Sequence, residues 1–144
     1  MQRISLTEDG DRVYVELRGP LDESCAVELY ELLESWLKQA RHPRITIDLD
    51  AIGASTLLGR AKLIEMQELI KEAGGRTAWV SGRPRFRGLA LVVCHAAGDS
   101  GAKVVSKAQQ APAWLDGEGQ RIEDAPLPVD RSMALVRARR KGES

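Results

Sequence analysis

Ser55 and Thr56 are the residues best placed to do chemistry in this chain. Their hydroxyls fall in the stretch Asp48–Gly59, between an apolar run and an amphipathic one. A helix that starts there collects unpaired backbone N–H groups. A hydroxyl at such a start caps the helix, helps those N–H groups hold an anion, or accepts a phosphate. Asp22, behind Gly19-Pro20-Leu21, sets a carboxylate before another helix, and Arg83, Arg85 and Arg87 flank Phe86 with three guanidinium groups, a candidate anion-binding set. Each has an ordinary alternative. Asp22, Ser55 and Thr56 can be plain helix caps, worth about 1 kcal/mol apiece. The arginines can be solvated surface charge.

Catalytic and metal-binding patterns are weak. His42 precedes a proline and His95 adjoins Cys94, neither beside a carboxylate or thiolate at ligand spacing, and no Cys-x-x-Cys occurs. Cys25 and Cys94 read as small core hydrophobes, in a compartment that keeps thiols reduced. Gly53 to Arg60 has the look of a phosphate loop, with one residue too many between its glycines and no Lys-Ser/Thr ending. The expectation is no enzyme, no metal and no cofactor.

Composition narrows the partners. The 144 residues balance 21 basic against 21 acidic side chains, so no global field draws the chain to nucleic acid or an anionic membrane. No apolar run approaches the roughly 20 residues of a membrane span, and the first residues lack a signal-peptide core. The reading is a cytoplasmic protein without direct membrane insertion.

The elements that must position these groups follow from periodicity. Arg3–Thr7 and Arg12–Leu17 alternate as strands on either side of Asp9-Gly10, a hairpin signal, and Gly19-Pro20 is expected to break the second. A helix over 23–39 carries Val27, Leu29, Tyr30, Leu33, Trp36 and Leu37 on one stripe. Arg44–Leu49 is the next strand. A helix over 57–73 is expected to bury Leu57, Ala61 and Ile64 and, across the stripe, Leu58, Leu69 and Ala73, before Gly74-Gly75 end it. Thr77–Ser81 and Lys103–Ser106 read as strands, Phe86–Ala97 as a helix, and a short helix passes through Trp114-Leu115. Strands alternating with helices require parallel pairing and right-handed crossovers, so the fold class is α/β with a leading β-hairpin. Leu17, Ile45, Ile47, Leu49, Trp79 and Val80 should be buried. The loops 19–22, 51–56 and 81–87 should meet at the carboxyl edge of the sheet. Residues 1–116 form the expected domain. Residues 117–144 form a charged tail, with a short helix about Met133–Val136 as the alternative to an extended chain.

Gly19-x-Leu21-Asp22 after a hairpin, Ile47-Asp48-Leu49 at a strand end and Gly74-Gly75 closing the following helix occur in this order and spacing. Eight residues beyond Asp48 lies Thr56-Leu57-Leu58-Gly59. Over roughly residues 3–116 the chain resembles the STAS domains, the sulphate transporter and anti-sigma factor antagonist family. The resemblance implies a STAS-type mixed β-sheet with flanking helices. In the family's antagonists an Asp-Ser-Ser-Gly turn stands at the place of Thr56–Gly59. An ATP-dependent kinase, itself the anti-sigma factor, phosphorylates its first serine. Leu57 holds that position here, with Thr56 at the family's aspartate and Asp22 at its other acidic position.

The resemblance therefore implies a bacterial signalling module in transcription regulation. It would bind an anti-sigma factor or kinase-type ATPase through Asp22, Ser55, Thr56, Leu57, Leu58 and Gly59, without the serine phosphoswitch. The alternative it implies is an accessory subunit of a transporter, either a phospholipid-transport ABC complex or an anion transporter. A third reading is a small-molecule or nucleotide sensor using Arg83, Arg85 and Arg87. Leu57 and Leu58 point about 100° apart on a helix, so either one stays exposed as a binding anchor or both are buried.

Overall fold

The computed structural model describes residues 3–117. Strands β1 (Ile4–Asp9) and β2 (Arg12–Leu21) form the hairpin, turned at Gly10, whose φ of +62° is open to glycine. Helix α1 (Glu23–Leu37), strand β3 (Arg44–Ser55), helix α2 (Leu57–Glu72), strand β4 (Arg76–Val80), helix α3 (Pro84–Ala97) and strand β5 (Ala102–Val105) follow. A 3-10 turn then leads into the short helix α4 (Ala111–Leu115). The five strands lie in the order β1-β2-β3-β4-β5, antiparallel at β1-β2 and parallel elsewhere. The expected mixed α/β sheet is the one observed.

A parallel sheet that grows in one direction through right-handed crossovers carries all its crossover helices on one face. Accordingly α1, α2 and α3 share one core with Val13, Val15, Leu17, Ile45, Ile47, Leu49 and Trp79. Ala78, pointing the other way by strand alternation, packs instead with Ala111, Trp114 and Leu115 of α4. The Arg76 guanidinium donates to Trp114 O (2.9 Å) and the Trp114 indole donates to Thr77 O (3.0 Å), fastening α4 to that second face. All six side chains expected in the core are buried. No helix among the described residues is long and apolar enough to cross a membrane.

Three expectations are corrected. First, Gly19-Pro20 does not break β2, which continues to Leu21, and β3 does not stop at Leu49 but runs to Ser55. Between the pairs Glu16↔Asp48 and Arg18↔Ala51, and again between Gly19↔Ile52 and Leu21↔Ser55, β3 spends three residues against two on β2. These are bulges, and Gly19 at φ +73° absorbs the bend. Pairing with β4 ends at Asp48↔Val80, so β2 is the strand that pairs with the far end of β3. This exposed ribbon tolerates the polar and small residues that read as a loop.

Second, α2 presents a different face. Gly59, Leu63, Met66, Gln67 and Ile70 are its buried residues, whereas Leu57, Leu58, Ala61 and Ala73 are exposed and Ile64 and Leu69 half-buried. Two contacts set that phase. A Cβ at Gly59 would stand 2.5 Å from Leu21 O, so only glycine allows α2 to lie against the end of β2. Gln67, fully buried, accepts from the Trp79 indole (2.9 Å) and donates to Thr77 Oγ1 (3.1 Å) and Asp99 Oδ2 (2.8 Å). A glutamine at the centre of the apolar face is invisible to a stripe drawn through leucines.

Third, α3 starts at Pro84, two residues before Phe86, with proline at the position where a missing N–H costs nothing. The remaining bounds shift by one or two residues. At the end of α2, Gly74 takes φ +75° and the Gly75 N–H donates to Ile70 O (3.0 Å), the paired-glycine stop expected. The tail beyond Gly117, including Met133–Val136, lies outside the described residues.

Candidate functional site

Two helices begin side by side at the carboxyl edge of β2 and β3. Asp22 caps α1, its Oδ1 accepting the Cys25 N–H (2.9 Å) and the Arg3 guanidinium (3.3 Å). Thr56 caps α2, its Oγ1 accepting the Gly59 N–H (3.0 Å), and the Thr56 N–H donates to Leu21 O (3.1 Å). The capping alternative therefore describes both groups. With Gly59 seated against Leu21 and Asp22, these bonds fix the relative position of the two helix starts. Leu57 and Leu58 project from this frame, 73% and 58% exposed. The structure thus brings Asp22, Thr56, Leu57, Leu58 and Gly59 to one edge.

Ser55 turns to a neighbouring place. Its Oγ accepts from Arg60 Nη1 (3.0 Å), one turn into α2, and it lines a cleft of about 250 Å³ with Arg60, Arg85, Phe86, Leu89 and Val92. Gly88 completes the lining from α3.

The three arginines around Phe86 do not act as one set. Arg83 Nη2 donates to Leu49 O (3.1 Å) and Ile52 O (2.7 Å), while its guanidinium lies 4.2 Å from the centre of the Phe86 ring. Arg87 Nη1 donates to Ser81 O (3.3 Å). Arg83 satisfies carbonyls that the bulged end of β3 leaves over and Arg87 the carbonyl just after β4, and together they hold α3 to the sheet. Arg85 alone of the three lines the cleft, opposite Arg60. Arg60 enters the sequence reading only as the end of the phosphate-loop-like stretch Gly53–Arg60, not as a site residue. Its spacing of three from Leu57 puts the two on one face of α2, which was the available signal.

A polar chain runs behind the site. Tyr14 Oη donates to Asp48 Oδ2, Asp48 Oδ1 accepts the Asp50 N–H (2.9 Å), and Asp50 Oδ1 accepts the Gly82 N–H (2.8 Å) and the Ser81 hydroxyl (3.3 Å). Burial and the bond to the Asp48 carboxylate push the Tyr14 phenol well above its ordinary pKa. The chain ties β2, β3 and the loop before α3 together.

The other chemical candidates stay apart. Burial raises the Cys25 thiol, and burial with the Asp99 charge pushes Cys94 up to about 12, so both remain protonated near neutral pH. His42 and His95 are exposed on separate elements. Among the described residues no group of His, Cys, Asp and Glu could hold a metal ion.

No protein-family model and no curated protein sequence matches the chain. Solved structures do. The anti-sigma factor antagonist SpoIIAA in its unphosphorylated form superposes with a TM-score of 0.60 at 14% identity, over 79% of this chain and 98% of that one. A serine-to-glutamate variant of RsbS from Moorella thermoacetica gives 0.62 at 19%, over 80% and 96%. An uncharacterised DUF3478-family protein with a SpoIIAA-like fold from Shewanella loihica gives 0.59 at 16%, over 78% and 91%. At these identities the likeness is one of fold: the chain has a SpoIIAA-like, STAS-type α/β fold.

Proposed function

We propose that this STAS-type domain is a non-enzymatic binding module of the anti-sigma factor antagonist kind. It docks on a protein partner, an anti-sigma factor or kinase-type ATPase, through Asp22, Ser55, Thr56, Leu57, Leu58 and Gly59. The observation that carries the reading is the exposure of Leu57 and Leu58 on a frame of bonded caps. Neither leucine serves the core, and each would gain about 1.5–3 kcal/mol on full burial against a partner. The rigid frame presents them at little ordering cost. The fold neighbours named as anti-sigma factor antagonists support the partner class.

The switch differs from the family's. Leu57 has no oxygen to accept phosphate, and the Thr56 hydroxyl is engaged in the cap of its own helix. Binding through this surface is therefore constitutive, set by the concentration of partner rather than by phosphorylation.

Leu57→Asp tests the reading. An exposed acid in the first turn of a helix is favoured by the helix dipole, so stability should stay within about 0.5 kcal/mol of the parent. Binding to the partner captured by the parent chain from its native cell, and then purified, should weaken at least about tenfold, the loss of about 1.4 kcal/mol. Unchanged affinity would overturn the proposed surface. Incubation with that partner and ATP should leave the mass of the chain unchanged; stoichiometric phosphate on Ser55 or Thr56 would overturn constitutive binding.

A further inference from the structure

Gly88 has no structural reason to be glycine. It lies inside α3, where glycine is among the least favourable residues. Its φ is not in the left-handed region, and a Cβ built there would meet nothing within 4 Å. Gly59 and Gly75 differ, since a Cβ at either would strike neighbouring atoms at 2.5 and 2.8 Å. The empty space over Gly88 is the cleft lined by Ser55, Arg60, Arg85, Phe86, Leu89 and Val92.

The charge around that cleft is one-sided. No acidic residue stands in the first turn of α2 or α3. Among the described residues, neither Arg60 nor Arg85 forms an ion pair with a carboxylate. Arg60 bonds Ser55, and the Arg85 guanidinium lies 5.5 Å from the centre of the Phe86 ring. Of the apolar lining, Phe86 and Leu89 show the cleft only an edge of the core, and Val92 is 61% exposed. At about 250 Å³ the cleft is below the roughly 300–1,000 Å³ of a cofactor site and of a size for a side chain or two. Leu57 stands three residues before Arg60, on the same face of α2.

We infer that a segment of the protein partner enters this cleft, laying its backbone over Gly88, a carboxylate between Arg60 and Arg85, and an aliphatic side chain against Leu89 and Val92. The inference deepens the docking surface proposed above and rests on it. Glycine at 88 allows the close backbone approach. The two guanidinium groups select the acid, with Arg85 free to bond it bidentately. Leu57 and Leu58 give area, and the cleft gives register and charge selection.

The probe is an acetylated, amidated hexapeptide, Gly-Asp-Leu-Asp-Leu-Gly, titrated into the ¹⁵N-labelled full chain and followed by amide shifts. Saturable shifts are expected at Ser55, Arg60, Gly88 and Val92. The same peptide with Asn in place of Asp should bind at least about tenfold more weakly, as should Arg85→Gln with the acidic peptide. Gly88→Leu should abolish binding with the remaining amide spectrum unchanged, and Gly88→Ala, which adds only the Cβ, should weaken it. Absence of saturable shifts, equal binding of the Asn peptide, or inorganic phosphate that produces the same shifts and displaces the peptide would each overturn the inference. Phosphate would assign the cleft to a small anion. With the native partner the two readings separate. Loss of binding in Leu57→Asp while Arg85→Gln and Gly88→Leu bind like the parent keeps the docking surface and removes the cleft from it. Loss in the cleft variants alone does the reverse.

Discussion

At the scale of single residues, Gly59 shows how a small side chain carries a large part of the site. Its hydrogen lets α2 lie on the carbonyls of Leu21 and Asp22, and the backbone on both sides of that contact is held by caps. Gly59→Ala has no flexible neighbour to push aside, because the atom in the way is main-chain oxygen. The expected cost is about 1–3 kcal/mol, the range for overpacking a fixed contact, measured by urea denaturation. A smaller loss, with the leucines still presented to solvent, would mean that the two helix starts move apart easily. Asp22 and Thr56 also spend their polar atoms inside the frame, so the groups most suggestive of chemistry in the sequence hold the scaffold. The adjacent leucines, chemically inert, carry the proposed recognition.

At the scale of elements, the orientation of α2 decides which residues are available. Gln67 anchors that orientation by bonding Trp79, Thr77 and Asp99 at once, in a fully buried position. Asp99 in turn accepts the Gly101 N–H (2.8 Å), so the network joins α2, β4 and the turn before β5. Gln67→Leu keeps the volume near constant but strips partners from the Trp79 indole and the Asp99 carboxylate. The expected destabilisation is about 1–3 kcal/mol or more, since buried groups left unpaired cost their full desolvation. Chemical denaturation measures it, and an unchanged midpoint would show that the network does not hold the helix. The bulged end of β3 is the other deciding element. Arg83 bonds its carbonyls at residues 49 and 52, and so sets the start of α3 beside the start of α2, with the cleft between them.

At the scale of the molecule, the one-way sheet places three helices on one face and leaves the second face to α4. The larger core runs to Cys94 with Ala102 and Val104 packed against it, and the smaller one ends with α4, at Leu115. Residues 1–116 are accordingly proposed as the folding domain, and a chain cut after Gly117 should melt cooperatively within a few degrees of the full chain. A much lower midpoint in calorimetry would give the segment 118–144 a structural part. The proposed partner surface and cleft lie on α2 and α3, elements of the larger core.

Fold class and element order were legible in the chain itself because they rest on local patterns. Alternation marks Val13, Val15, Leu17, Ile45 and Ile47 as strand interior, paired glycines end α2, and Asp-Gly turns the hairpin; each signal acts within a few residues and needs no distant neighbour. The site was only half legible. Asp22 and Thr56 as caps follow from local backbone chemistry, and their meeting follows from parallel topology. The exposure of Leu57 and Leu58 does not, because the phase of α2 is set by Leu21 O across the sheet edge and by Trp79 from the next strand. Arg85 likewise separates from Arg83 and Arg87 only when the bulged end of β3 offers its carbonyls to Arg83 and the turn after β4 offers the Ser81 carbonyl to Arg87. Apolar periodicity tells which residues can be buried; contacts between distant segments decide which ones are.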